Sequence, residues 1–282
     1  MSISIPNVVV KRLKSATPRY RDILKKKIEE DLNEADTVTI ITDMLEKVFG
    51  FDKIEDIRKE FRIQGNYKCD IAVMLKKKVA YLIEVKSIGS TLSNKHIKQA
   101  VTYASREGID NVVLTNGILW QVYRVTLQDK VQNELMFEID FLNLNLKSKE
   151  DLERLFLLCN RGVQRSAIDG FYEHSQVFNK YTLGRLLLTD PVLNVVRREM
   201  RKLKDGMRQI SLDQIQEKLE QEVIKRDLLG EDGEDAKKLI AKASRKQKKV
   251  SARKTAESAD ENTDGSTLAD ETDIDTQQQD GG

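Results

Sequence analysis

Hydrophobic positions change period along this chain, and the change divides it into regions. From Thr17-Pro18 onward they recur at helical spacing, as Ile23, Leu24, Ile28 and Leu32. Proline suits the first turn of a helix, so Thr17-Pro18 predicts a helix start and leaves residues 1–17 irregular. A second helix is predicted from Glu34 to Phe49, with Ile40, Ile41, Met44, Leu45 and Val48 on one face, Asn33 as its N-cap and Gly50 as its stop. Strand patterns follow. Glu60–Gln64 ends at Gly65-Asn66, and Lys68–Leu75 alternates through Ile71, Val73 and Leu75. Lys76-Lys77-Lys78 turns the chain into Val79–Val85, a nearly continuous apolar run of the kind found in central strands. Ser93–Glu107 predicts a helix with Ile97, Ala100, Val101 and Ala104 inward, closed by Gly108. Val112–Thr115 and Ile118–Val125 read as strands joined by an Asn116-Gly117 hairpin turn, and Leu135–Ile139 extends the sheet. The order α-β-β-β-α-β-β describes an α/β domain over residues 18–147.

From Lys149 the pattern is helical throughout. Leu152–Cys159, Ala167–Leu187, Val192–Leu203 and Leu212–Leu228 fill a helical region over residues 148–230, with Ser211 and Gln214 forming a capping box for the last. After Gly230 the chain becomes Lys, Ala, Ser, Asp, Thr and Gln, so residues 231–282 read as a charged, largely disordered tail. Its charges are segregated: nine basic and no acidic residues from Lys237 to Lys254, then nine acidic and no basic ones from Glu257 to Asp280.

Composition narrows the class. With 282 residues and 39% hydrophobic content the chain can build one sizeable core with additions. No run approaches the roughly 18 apolar residues of a membrane span, and Met1–Val10 lacks the basic start and cleavage site of a signal peptide. Cys69 and Cys159 are too few for a disulfide framework or a cysteine-based zinc site. These features predict a cytoplasmic protein with no membrane partner. His96 and His174, the only histidines, exclude catalysis built on several histidines. The net charge of +2 leaves only local patches to attract nucleic acid.

The residues that carry chemistry lie on the second and third strands. The hairpin between them sets Asp70 beside Glu84, and Lys86 shares a strand face with Glu84 because side chains at i and i+2 do. Two carboxylates and an ammonium thus converge at a strand end. Magnesium is held by one or two carboxylates with water and phosphate oxygens, and a nearby lysine can orient a hydrolytic water or offset phosphate charge. The pattern (D/E)-x-K occurs twice, at Glu84-Val85-Lys86 and at Asp235-Ala236-Lys237, and only the first sits in an apolar run. A plain salt bridge at a strand end is the competing reading.

Asp70 on one strand and Glu84-Val85-Lys86 on the next resemble the PD-(D/E)xK nuclease superfamily. More closely, residues 30–125 resemble the N-terminal nuclease domain of type I restriction enzyme R subunits. The resemblance is carried by Asn33-Glu34-Ala35-Asp36-Thr37, Asp70-Ile71-Ala72, Ile83-Glu84-Val85-Lys86, Gln99-Ala100-Val101-Thr102-Tyr103-Ala104, and Val113-Leu114-Thr115-Asn116-Gly117 with Trp120. It implies a restriction-endonuclease-like αβββαβ core, followed here by the helical region and the disordered tail. It further implies cleavage of DNA with Mg2+, for which Mn2+ can substitute, in restriction of foreign DNA. Under it Asp70 and Glu84 are metal ligands, Lys86 is the catalytic lysine, and Glu34 is the first-helix acid that helps the metal. Gln99 and Tyr103 match a Gln-x-x-x-Tyr helix motif, on a face separate from that of Ile97 and Val101. The chain departs from the parent enzymes in having no Gly-Lys pair, hence no phosphate-binding motor loop. Either a motor or specificity subunit partners it or it acts alone, and a homodimer is compatible with both.

Two other readings stand beside this one: a nucleic-acid-binding or adaptor protein that keeps the fold without turnover, and an interaction protein working through residues 150–230. Arg19, Arg21 and Lys25–Lys27 form a basic helix face, either solvated or phosphate-binding. The run Lys237–Lys254 is the better phosphate tether, with the acidic segment after it able to fold back over it. Trp120 and Cys69 read as core, and His96 as a surface residue.

Overall fold

The first helix, α1, spans Asn7–Glu29 with Pro18 inside it. The expectation of an irregular segment over residues 1–17 is therefore corrected. A proline inside a helix costs about 3 kcal/mol because it removes a backbone donor and crowds the preceding turn. Here both Pro18 and Lys14, whose carbonyl loses that donor, face solvent, while Val9, Leu13, Tyr20 and Leu24 are buried on the opposite side. Burying each such side chain contributes roughly 1.5–3 kcal/mol, enough to carry the helix through the proline. The computed structural model describes residues 3–63, 67–127, 130–203, 209–230 and 233–245; the side chains of Ile63, Tyr67, Asn94 and Gln99 lie outside that description.

Helix α2, Glu34–Lys47, starts at Asn33, whose side chain accepts from the Asp36 N–H. It ends at Gly50, where φ is +76°. Glycine is needed there twice over: a Cβ would lie 2.1 Å from the Arg12 guanidinium, and that guanidinium donates to the carbonyls of Val48 and Phe49 at the helix end.

Six strands form one sheet in the order β1-β2-β3-β4-β5-β6. They are β1 Ile57–Ile63, β2 Tyr67–Leu75, β3 Lys78–Val85, β4 Asn111–Thr115, β5 Leu119–Leu127 and β6 Val131–Asp140. Residues 64–66, where Gly65-Asn66 was expected to end the first strand, lie outside the described residues. Among the described residues only β3 and β4 pair in parallel. A parallel pair needs a crossover, and α3, Asn94–Arg106, supplies it. The Asn116-Gly117 turn joins β4 to antiparallel β5, with Gly117 at φ +85° and the Asn116 carboxamide accepting from the Ile118 and Leu119 N–H groups.

The sheet is covered on both faces. Ile71, Val73, Tyr81, Ile83, Val85 and Trp120 pack into a core with α1, α2 and α4, Lys149–Leu158. Ala72, Leu82, Val112, Leu114 and Tyr123 pack into a second core with Ile97, Ala100, Val101 and Ala104 of α3, and Cys69 is buried there. Helix α4 was expected to open a separate helical region after residue 147. Instead Leu155, Phe156, Leu157 and Leu158 are fully buried in the first core, and the Tyr81 hydroxyl donates to the Leu158 carbonyl at 3.0 Å. The first compact unit accordingly runs to Gln176 and includes α5, Asn160–Gln164, and most of α6, Ala167–Val177.

The second unit begins at Val177. The single helix expected over Ala167–Leu187 is interrupted, because Asn179 caps a new helix by accepting from the Thr182 N–H: α7, Lys180–Leu187. Then come α8, Asp190–Leu203, and α9, Leu212–Lys218, whose Ser211–Gln214 capping box forms as the spacing predicts. A π-turn at Leu219–Val223 and a 3-10 turn at Arg226–Leu228 replace the regular helix expected there. Residues 234–245 form a further helix, α10, so the tail from residue 231 is not disordered from its start. The tail beyond 245 lies outside the described residues. Among the described residues no helix is long and apolar enough to cross a membrane.

Candidate active site

The geometry around Asp70 follows from the β2–β3 ladder. Ile71 pairs with Ile83, so one step further the same register sets Asp70 across from Glu84. The Asp70 carboxylate replaces the next ladder bond: its Oδ2 accepts from the Val85 N–H at 2.7 Å. Lys86 follows directly, and its backbone N–H donates to the Thr115 carbonyl at 2.8 Å, continuing the pairing with β4. Side chains that the sequence spaces at i and i+2 are thus fixed by main-chain bonds on two neighbouring strands.

The Lys86 ammonium lies between two carboxylates, donating to Glu84 Oε1 at 2.9 Å and to Glu34 Oε2 at 3.3 Å. Glu84 and Lys86 are largely withdrawn from solvent, with 13% and 19% of their side chains exposed, whereas Glu34 is half exposed. Glu34 arrives from the first turn of α2, where the helix dipole favours an acid in any case.

The electrostatics show how crowded this end of the sheet is. Burial pushes the Asp70 carboxyl up to about 6, and the negative charges of Glu84 and Glu34 push the same way. The Val85 N–H and the Lys86 ammonium oppose them and do not prevail. For Lys86, burial works against the charged form, but the hydrogen bond to Glu84 and the charges of Glu84, Glu34 and Asp70 outweigh it and raise its pKa above the ordinary lysine value. Three carboxylates around one ammonium leave an excess of negative charge that one divalent cation would balance.

The donor set fits magnesium. Asp70 and Glu84 offer hard oxygen ligands from adjacent strands, and Mg2+ keeps several waters and takes phosphate oxygens for the rest of its octahedron. Among the described residues no three His, Cys, Asp or Glu side chains gather closely enough to hold an ion unaided. Asp70 and Glu84 lie on adjacent strands, and the Glu34 carboxylate bonds to Lys86 beside them.

The loop after β3 is tied down on several sides. The Ile88 N–H donates to the Leu32 carbonyl at 3.4 Å, the Asn116 amide donates to the Ser90 carbonyl at 2.9 Å, and the Ser87 and Ser90 hydroxyls are 2.6 Å apart. Sequence reasoning assigned Asn116 to its turn alone; the anchoring of Ser90 is a second role, with no signal in the spacing.

The helix motif fares differently. The Gln99 side chain lies outside the described residues. Tyr103 is half-buried against the same core as Ile97 and Val101, with the Arg106 guanidinium 5.8 Å from its ring centre. The expected separation of faces is corrected: the Tyr103 side chain sits at the edge of the inward stripe and packs against its core. Two other readings change as well. Arg21 is not part of a free basic face, since it donates to the carbonyls of Leu144 at 2.7 Å and Phe141 at 3.5 Å. His96 is half-buried, and its Nδ1 has no hydrogen-bond partner. A cleft of about 410 Å3 lined by Lys76, Lys78, Tyr81, Asp110 and Asp169 opens at the turn end of the β2–β3 hairpin, the opposite end from Asp70 and Glu84.

No curated protein and no solved structure matches this chain. One family model does, over a stretch that begins inside α2 and runs through β1–β5 to the penultimate residue of β6, so that Asp70, Glu84, Lys86 and α3 fall within it while Glu34 and the second unit fall outside. Residues 39–139 match the Type I restriction enzyme R protein N terminus (HSDR_N).

Proposed function

We propose that the first unit is a magnesium-dependent nuclease that hydrolyses phosphodiester bonds of DNA, on a restriction-endonuclease-like core, in a role tied to restriction of foreign DNA. The observation that carries the reading is the meeting of Asp70, Glu84 and Lys86 at one sheet end, inside the matched stretch, with Lys86 bonded to two carboxylates. An ammonium and a carboxylate this far withdrawn from water are costly to a fold that has no use for them.

Asp70 and Glu84 would hold Mg2+, or Mn2+ in its place. When bound, such an ion stabilises charge on the phosphoryl oxygens and lowers the pKa of a coordinated water. The Lys86 ammonium would direct its N–H donors at the nucleophile and a non-bridging phosphate oxygen, where negative charge grows as the nucleophile's oxygen bonds to phosphorus and the bridging oxygen departs; the water's proton passes to solvent and the departing oxygen takes one from solvent. With Glu84 engaged by the ion, Glu34 would remain as a partner for the Lys86 ammonium. A motor or specificity subunit is the expected partner for coupled restriction, because the chain carries no phosphate-binding motor loop of its own.

The test is cleavage of plasmid, linear duplex and single-stranded DNA and of RNA, with Mg2+ or Mn2+ and with EDTA. Metal-dependent cleavage lost in Asp70→Ala and Lys86→Ala supports the reading. Cleavage that survives both substitutions sinks the site, and DNA binding without cleavage returns the protein to the adaptor class.

A further inference from the structure

In the second unit, α10 presents two different faces. Ala236 is buried, and Ile240 lines a cleft with Leu188 next to α7 and with Gln216 of α9. Arg185 of α7 donates to Glu234 at the start of α10. These contacts fix the rotation of the helix. Lys237 is turned toward the same cleft and pairs with Glu234 at 3.7 Å.

Lys238, Lys242 and Arg245 follow at i, i+4 and i+7, so they stack on one face, and all three are exposed. At 1.5 Å per residue the stripe is about 10 Å long. Lys238 meets Asp235 at 3.1 Å, but both side chains are more than three-quarters exposed, and such a pair contributes little. Among the described residues Lys242 and Arg245 have no acidic partner.

Helix electrostatics alone account for part of this. Glu234 and Asp235 in the first turn and cations in the last turn complement the dipole. That effect ends within one turn, whereas the sequence continues through Lys246, Lys248, Lys249, Arg253 and Lys254 with no intervening acid. The surplus of cations exceeds what the helix needs.

We propose that the outer stripe of α10 is a phosphate-binding track that tethers duplex DNA independently of sequence; this rests on the nuclease reading above, since DNA is the substrate it would retain. Each strand of B-DNA carries one charge per about 3.4 Å of axis, so a 10 Å stripe spans about three phosphates of one strand in any register. Two lysines and an arginine along one line supply point charges, which position the duplex and leave its bases unread.

The test uses the full chain and a 30-base-pair duplex in EDTA, so that binding is read without cleavage. Anisotropy titrations over a range of salt compare wild type with the combined substitution Lys238→Gln, Lys242→Gln, Arg245→Gln. The expected result is a slope of log affinity against log salt that is shallower by about 2–3, and binding at least about tenfold weaker at low salt. On a short oligonucleotide at saturation in Mg2+ the turnover rate is unchanged, because Asp70, Glu84 and Lys86 are untouched. If the triple variant misfolds by circular dichroism, Lys242→Gln alone is expected to reduce the slope by about one. An unchanged slope and affinity overturns the track. So does loss of binding to anionic-lipid vesicles with duplex binding intact. A chain that cleaves nothing but shows the predicted salt slopes would defeat the nuclease reading and leave the track standing.

Discussion

The two ends of the β2–β3 hairpin use the same residue type in opposite ways. At the turn end Lys76, Lys77 and Lys78 are all exposed, and Lys76 and Lys77 occupy left-handed backbone at φ +49° and +68°. Their charges stay in water, and among the described residues none of the three forms an ion pair. At the other end Lys86 has only 19% of its side chain exposed and is held by Glu84 and Glu34 beside a carboxyl that burial has pushed up to about 6. A hydrated lysine costs a fold nothing and says nothing about function. A lysine brought out of water with three acids around it must be compensated, and the groups that compensate it form the candidate site.

The largest effect expected from this contrast is on turnover. Lys86→Ala should lower the rate of Mg2+-dependent DNA cleavage by about 10²–10³-fold, the scale on which removal of one charge-stabilising donor acts. Lys77→Ala, at the solvated end, should leave the rate unchanged. Equal losses in both variants would erase the distinction between the two ends.

The second effect is on stability without metal. The folded state favours the acid form of Asp70, whose pKa rises from 3.8 to about 6. Metal-free protein therefore keeps the full contribution of this group below pH 3.8 and loses it as pH rises through about 6. Asp70→Asn removes the penalty and keeps an acceptor for the Val85 N–H. After discounting for solvent screening, it should stabilise the protein in EDTA at pH 8 by about 1–2 kcal/mol. The gain should vanish near pH 3.5, as read by chemical denaturation.

Glu34 gives a smaller effect. Glu34→Gln should slow cleavage by about tenfold or less, in keeping with a half-exposed partner of Lys86. The Mg2+ concentration for half-maximal activity should not move; a large rise in that concentration would make Glu34 a metal ligand instead. Smallest is the turn itself. Lys76→Asn with Lys77→Gly places residues that accept left-handed backbone in the two-residue turn and should add about 1 kcal/mol of stability without touching activity.

Much of the site was legible because it depends on local order. Strand alternation and the hairpin placed Asp70 beside Glu84, and the i, i+2 spacing placed Lys86 with them; the ladder pairing of Ile71 with Ile83 is that same register. Glu34 was named from resemblance, but its contact with Lys86 spans 52 residues of chain and depends on how α2 docks. Helix ends that depend on packing were not legible. Pro18 read as a start because local chemistry says so, and the buried stripe from Val9 to Leu24 overrode it. The unit boundary was misplaced for the same reason: Leu155 to Leu158 look like an ordinary amphipathic helix, and only the fold shows that they close the first core. The inward stripe of α3, Ala100 and Ala104 included, follows from the spacing; the place of Tyr103 does not, because its long side chain packs against that core from the edge of the stripe.

The most direct test of the central claim is thermal denaturation of the full chain during titration with Mg2+, in wild type and in Asp70→Asn. If Asp70 and Glu84 hold the ion, wild type should gain about 1–2 kcal/mol at Mg2+ several-fold above its dissociation constant, a rise of a few degrees in Tm, while Asp70→Asn starts higher and gains nothing. No shift in wild type, or the same shift in both proteins, would contradict the account.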